Sequence, residues 1–92
     1  MRVVWTQAAL DTIEQAYNCI ADINPAAAER VAECLYSTGD SLAHFPRRGR
    51  CVAGTAMREL ITDFSYILRY QITGDTVEIV RVRHTSRRPT TP

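Results

Sequence analysis

A chain of 92 residues with 46% hydrophobic side chains has the material for one domain around one modest core. No apolar run approaches the ~20 residues that span a bilayer, and "MRVVWTQAALD" lacks the apolar region and cleavage site of a secretory signal, so a cytosolic (cytoplasmic) protein is expected. The net charge of +1 gives no bulk attraction to a polyanion, yet residues 1–40 carry six acids against two arginines and residues 41–92 carry nine arginines against four acids, with no lysine anywhere.

Residues 2–5, "RVVW", are β-branched and aromatic and predict a strand. Thr6 stands where a helix N-cap belongs. A helix follows over 7–22, because Ala9, Ile13, Ala16 and Ile20 recur at helical spacing and Leu10 and Tyr17 widen the stripe. Pro25 disfavours helical backbone at Asn24, which ends that helix; Asn24 then caps a second one with Pro25 at its first position. Ala28, Val31, Leu35, Thr38 and Leu42 form the second stripe, carrying the helix to about Ala43, with Gly39 weakening it by about 1 kcal/mol relative to alanine. The tight connection predicts an antiparallel helical hairpin.

Pro46, Gly49 and Gly54 mark 44–55, "HFPRRGRCVAGT", as a loop. Residues 57–61, 65–73 and 76–84 read as strands, with "DFS" as the first turn and "TGDT" as a tight hairpin in which Gly74 takes positive φ. Strict alternation puts Tyr66, Leu68, Tyr70 and Ile72 on one face of the second of these strands. In the last it puts Val77, Ile79, Arg81 and Arg83 on one face, with Glu78, Val80, Val82 and His84 opposite. The expected fold is α+β: an N-terminal strand, an antiparallel two-helix hairpin and a three-strand antiparallel meander, in two layers, with the N-terminal strand joining the sheet. The domain is expected over 1–88, with 89–92 a frayed tail. Cys19, Cys34 and Cys51 are odd in number and widely spaced, which argues for small apolar filler on the helices plus a loop thiol rather than disulfides or a zinc site. With no Gly-rich phosphate loop, metal cluster or Ser/His/Asp arrangement in the sequence, no cofactor and no metal are expected.

Taken in order, these segments resemble the RelE/ParE superfamily of type II toxin–antitoxin toxins. The matching residues are Phe45, Pro46, Gly49 and Arg50 of an F-P-x-x-G-R loop; Arg58, Glu59 and Leu60 of an R-E-L strand; Tyr66, Arg69 and Tyr70 of the next strand; and the closing His84, Arg87 and Arg88. The resemblance implies a growth-inhibiting toxin held inactive by a cognate antitoxin, whose amphipathic, partly disordered segment wraps it in a toxin–antitoxin hetero-oligomer. In the ParE-like branch the target is DNA gyrase and no hydrolytic site is known. In the RelE-like branch the toxin enters the ribosomal A site and cuts mRNA.

Cutting RNA requires a base for the 2′-hydroxyl and cations facing the phosphoryl oxygens. Under that alternative Arg58 and Arg81 stabilise the transition state and His84 is the base, with Glu59 a weaker candidate. The cleaving branch often places a His-Tyr pair or several lysines with its arginine, whereas here Thr85 follows His84 and lysine is absent. The leading expectation is therefore a ParE-like gyrase binder, the second an endoribonuclease, and the third a nucleic-acid-binding or regulatory module on the same fold. Arg47, Arg48, Arg50, Arg69, Arg83, Arg87 and Arg88 are the expected contacts to target or antitoxin. Each has a plainer reading beside it: solvated loop charge for Arg47, Arg48 and Arg50, and local hydrogen bonding for His84. Arg58 either pairs with Asp63 or points at a target phosphate. His44 has no chemical role, and Trp5, Tyr17 and Tyr36 serve as core and interface aromatics. Every functional version expects the guanidinium groups of the C-terminal half to gather on one side.

Overall fold

The computed structural model describes residues 1–85; Arg87, Arg88 and the tail expected at 89–92 lie outside the described residues. Strand β1 (Arg2–Trp5) leads into α1 (Gln7–Ala21) and α2 (Pro25–Asp40), which closes with a 3-10 turn at Ser41–Ala43. Strands β2 (Arg50–Cys51), β3 (Met57–Ile61), β4 (Tyr66–Thr73) and β5 (Thr76–His84) follow. The sheet runs β1-β5-β4-β3-β2, with β1 parallel to β5 and the other pairs antiparallel. A parallel β1–β5 pair needs a long crossover, and the helical hairpin supplies part of it. Two helices over one face of a mixed sheet give the expected two-layer α+β arrangement.

The helix starts follow the sequence signals. Thr6 accepts from the Ala9 N–H at 3.2 Å, and Asn24 accepts from the Ala27 N–H at 3.1 Å. Pro25 occupies the start of α2. Ala9 and Ile13 of α1, Val31 and Leu35 of α2, and Leu42 meet Tyr66, Leu68, Tyr70, Val77, Ile79 and Val82 of the sheet in one core. Gly39 has a packing reason to be there: a Cβ would strike the Trp5 ring and lie 2.8 Å from Ile79 Cδ1. Trp5 in turn meets Tyr36 edge-on at 5.3 Å, so the expected interface aromatics join β1 to α2.

Three sequence expectations are corrected. The loop expected over 44–55 contains the two-residue β2, which borrows its pairing from β3. Cys19 is exposed on α1 and so is not core filler; Cys34 is half-buried and Cys51 lies exposed on β2, all three free. The third correction matters most. Strict alternation along β5 fails because the register with β4 shifts between Arg69↔Arg81 and Tyr70↔Ile79, leaving Val80 as a bulge. Val77, Ile79 and Val82 all therefore reach the core, while Arg81 and Arg83 turn to the opposite face instead of continuing the Val77–Ile79 row. Thr6 holds the bulge: its N–H donates to Ile79 O at 3.0 Å and its hydroxyl to Val80 O at 2.7 Å.

Candidate functional site

The sheet face away from the helices carries a cross-strand row of charge. Arg50 on β2 pairs with Glu59 on β3, Glu59 with Arg69 on β4, and Arg69 with Arg81 on β5. Directly opposed residues on one sheet face have Cβ atoms about 5 Å apart, so this register alone aligns the four side chains. Glu59 is only 6% exposed and is the hub. Arg69 donates to its Oε2 through Nε at 3.0 Å and Nη2 at 2.7 Å, while Arg50 and Arg83 approach at 3.8 and 3.9 Å. Three guanidinium groups thus share one carboxylate, and Arg81, exposed beside them, has no carboxylate partner among the described residues. Next along the face, Gln71 donates to Glu78 at 2.7 Å, so the other acid of this face is held apart from the arginines. The surplus of positive charge that net composition hides is real at this surface.

A second group forms on the loop between the 3-10 turn and β2. The Tyr70 hydroxyl accepts from the buried Gly49 N–H at 2.8 Å and donates to Pro46 O at 2.8 Å. Any Cβ at Gly49 would come within 2.8 Å of both Glu59 O and that hydroxyl, so the close approach demands glycine. Arg58 does not pair with Asp63 as one sequence expectation had it. Its Nη1 donates to Gly49 O at 2.8 Å and to Arg47 O at 3.4 Å, which ties the loop to β3. Arg48 donates to the Ser41 hydroxyl at 3.0 Å. The loop presents Phe45, 64% exposed, together with exposed Arg47 and Arg48.

The expected nuclease set is not brought together. Arg81 lies on the open sheet face. Arg58 is opposite core-facing Tyr70 and is engaged with loop carbonyls. His84 sits opposite core-facing Tyr66 and meets its ring edge-on at 4.9 Å, near Thr12, Gln15, Ala16 and Cys19 of α1. Glu59, the other candidate base, is enclosed by arginine. His44 is at the C-terminal end of the 3-10 turn, against Phe45. Of the expected binding arginines, Arg50, Arg69 and Arg83 converge with Arg81 on the open face, and Arg47 and Arg48 stand apart on the loop. Glu59 as organiser and Tyr70 as loop clamp are not legible as such: both sit inside recognisable strand motifs, but their partners lie 9 to 24 residues away.

Comparison with known proteins adds to this geometry. The family model described as "ParE toxin of type II toxin-antitoxin system, parDE" matches residues 3–89. Among similar proteins, "Toxin RelE2" of Caulobacter vibrioides is 41% identical over 86 residues, covering 94% of this chain and 97% of the relative. "Toxin RelE1" of the same organism is 35% identical over 68 residues, covering 71% and 72%. A chain of the solved "Chromosomal ParDE TA system from P. aeruginosa" superposes with a TM-score of 0.81 at 18% identity, covering 91% of this chain and 95% of that one, which is a likeness of fold.

Proposed function

This chain belongs to the ParE toxin family of type II toxin–antitoxin systems within the RelE/ParE superfamily, and from that premise we propose that it arrests growth by binding DNA gyrase, with a cognate antitoxin neutralising it. The observation that carries the reading is the separation of Arg58, Arg81 and His84 between two faces of the sheet. In-line cleavage needs base and cations around one phosphate, whereas protein binding needs only a complementary surface. The open-face arginines Arg50, Arg69, Arg81 and Arg83, and the loop arginines Arg47 and Arg48, supply such a surface for an anionic counterpart.

Likeness to relatives named RelE2 and RelE1 keeps a second reading, the ribosome-dependent mRNA cleavage that resemblance to the RelE-like branch implies. One experiment divides them: the purified chain is added to a gyrase supercoiling reaction and, in parallel, to a translation mix with a defined message. The expected result is loss of supercoiling with accumulation of gyrase–DNA cleavage complexes and an intact message. Cuts in the message at the ribosomal A site, with gyrase unaffected, would transfer the assignment to the nuclease branch.

A further inference from the structure

Phe45 is the most exposed phenylalanine, tyrosine or tryptophan among the described residues, yet its loop is held by hydrogen bonds at both ends and in the middle. The Phe45 N–H donates to Ser41 O at 3.1 Å and the Arg48 N–H returns to Phe45 O at 3.2 Å. Beyond that short turn the Tyr70 hydroxyl spans Pro46 and Gly49, and Arg58 holds the carbonyls of Arg47 and Gly49. An aromatic ring left in water is unfavourable for the free chain, and the backbone that carries it is already ordered before any partner arrives. Preorganisation of this kind raises affinity by removing the entropy of ordering from the binding step.

Resting on the reading of a protein target, we propose that Phe45, flanked by Arg47 and Arg48, is the anchor with which the toxin engages folded gyrase, entering an apolar socket bordered by carboxylates. Three features select that partner. Phe45, Pro46 and the stems of Arg47 and Arg48 line a shallow surface that is almost wholly apolar, which suits aliphatic or aromatic protein side chains more than phosphates. Neither Arg47 nor Arg48 has a carboxylate partner among the described residues, so both charges are open to carboxylates on a partner. A ring this exposed leaves most of its surface to a partner, and burying it takes a concavity, which a folded protein supplies and a short wrapping antitoxin segment does not. Aromatic residues and arginine are also the side chains that concentrate at the buried centre of protein interfaces.

The test compares wild type, Phe45→Ala, Phe45→Leu and the double charge reversal Arg47→Glu/Arg48→Glu in the gyrase supercoiling assay, with affinity for the cognate antitoxin measured beside it. Phe45→Ala is expected to raise the half-inhibiting concentration about thirtyfold, Phe45→Leu less than about fivefold, and the charge reversal at least about tenfold. Antitoxin affinity stays within about twofold in the two Phe45 variants, which also reports an intact fold. Wild-type potency in Phe45→Ala, with the wild-type chain active on gyrase, overturns the anchor and leaves the target standing. A wild-type chain inert toward gyrase overturns both. Parallel losses toward gyrase and antitoxin would make the loop a shared or antitoxin surface. A loss confined to message cleavage would make Phe45 a base-stacking platform. Each of these last two outcomes also overturns the proposal.

Discussion

Removing the Glu59 carboxylate deprives Arg50, Arg69 and Arg83 of the acid they share and leaves like charges facing one another across three strands. Deleting one partner of a fully buried pair costs about 3–5 kcal/mol. Arg69 is 38% exposed and Arg50 74%, so water takes over much of that role, and a loss of about 1–3 kcal/mol is expected for Glu59→Ala. Glu59→Gln keeps an oxygen that accepts from Arg69 and loses less. The distinguishing feature is salt dependence. Repulsion among exposed guanidinium groups is screened, so the Glu59→Ala deficit in urea unfolding narrows between about 0.05 and 0.5 M salt. A deficit that does not change with salt would mean that lost packing, not charge, accounts for it.

At the scale of elements, one hydroxyl ties the start of α1 to the irregularity in β5. Thr6 caps the helix and donates to the Val80 carbonyl in the bulge. Thr6→Val keeps the shape and loses both bonds: about 1 kcal/mol for the cap and about 1 kcal/mol for the bond to Val80, so about 2 kcal/mol in all. Thr6→Ser keeps both and is expected within about 0.5 kcal/mol of wild type. Urea midpoints at constant slope check this, and a Thr6→Val loss no larger than a cap alone would remove the hydroxyl from any role in the bulge. The same junction explains what could be read from the sequence. Helix starts at Thr6 and Asn24, the helical stripes and the 57–61 strand are set by neighbours within a few residues, and their periodicity suffices, as it does for the extent of 76–84 though not for its faces. Alternation misplaces Val80 because a bulge is decided by pairing with β4 and by a residue 74 positions upstream. The two-residue β2 has no periodicity of its own, and the Tyr70–Gly49 clamp spans 21 residues. The arginine motif residues were visible, but which face each occupied depended on that bulge.

At the scale of the whole molecule, the two layers carry opposite charge. Asp11, Glu14, Glu29 and Glu33 are exposed on the helices, while Arg50, Arg69, Arg81 and Arg83 share the opposite sheet face. The shortest dimension of the chain is 21 Å, against a screening length of about 8 Å at physiological salt. A partner at one face is therefore almost blind to the other, and the net charge of +1 describes neither. An antitoxin that wraps both layers should meet two independent fields, each contributing to its association rate. Stopped-flow association with the cognate antitoxin is expected to slow about tenfold from about 0.05 to 0.5 M salt. Arg81→Ala/Arg83→Ala should flatten that slope, Glu14→Ala/Glu33→Ala should change it separately, and the combined variant should show the sum of the two effects, because the sites lie too far apart to couple. A slope already flat in the wild type would leave the charge division without a role in neutralisation. Non-additive slopes would mean that the antitoxin reads the two layers through one contact, and that screening does not divide the molecule as its thickness implies.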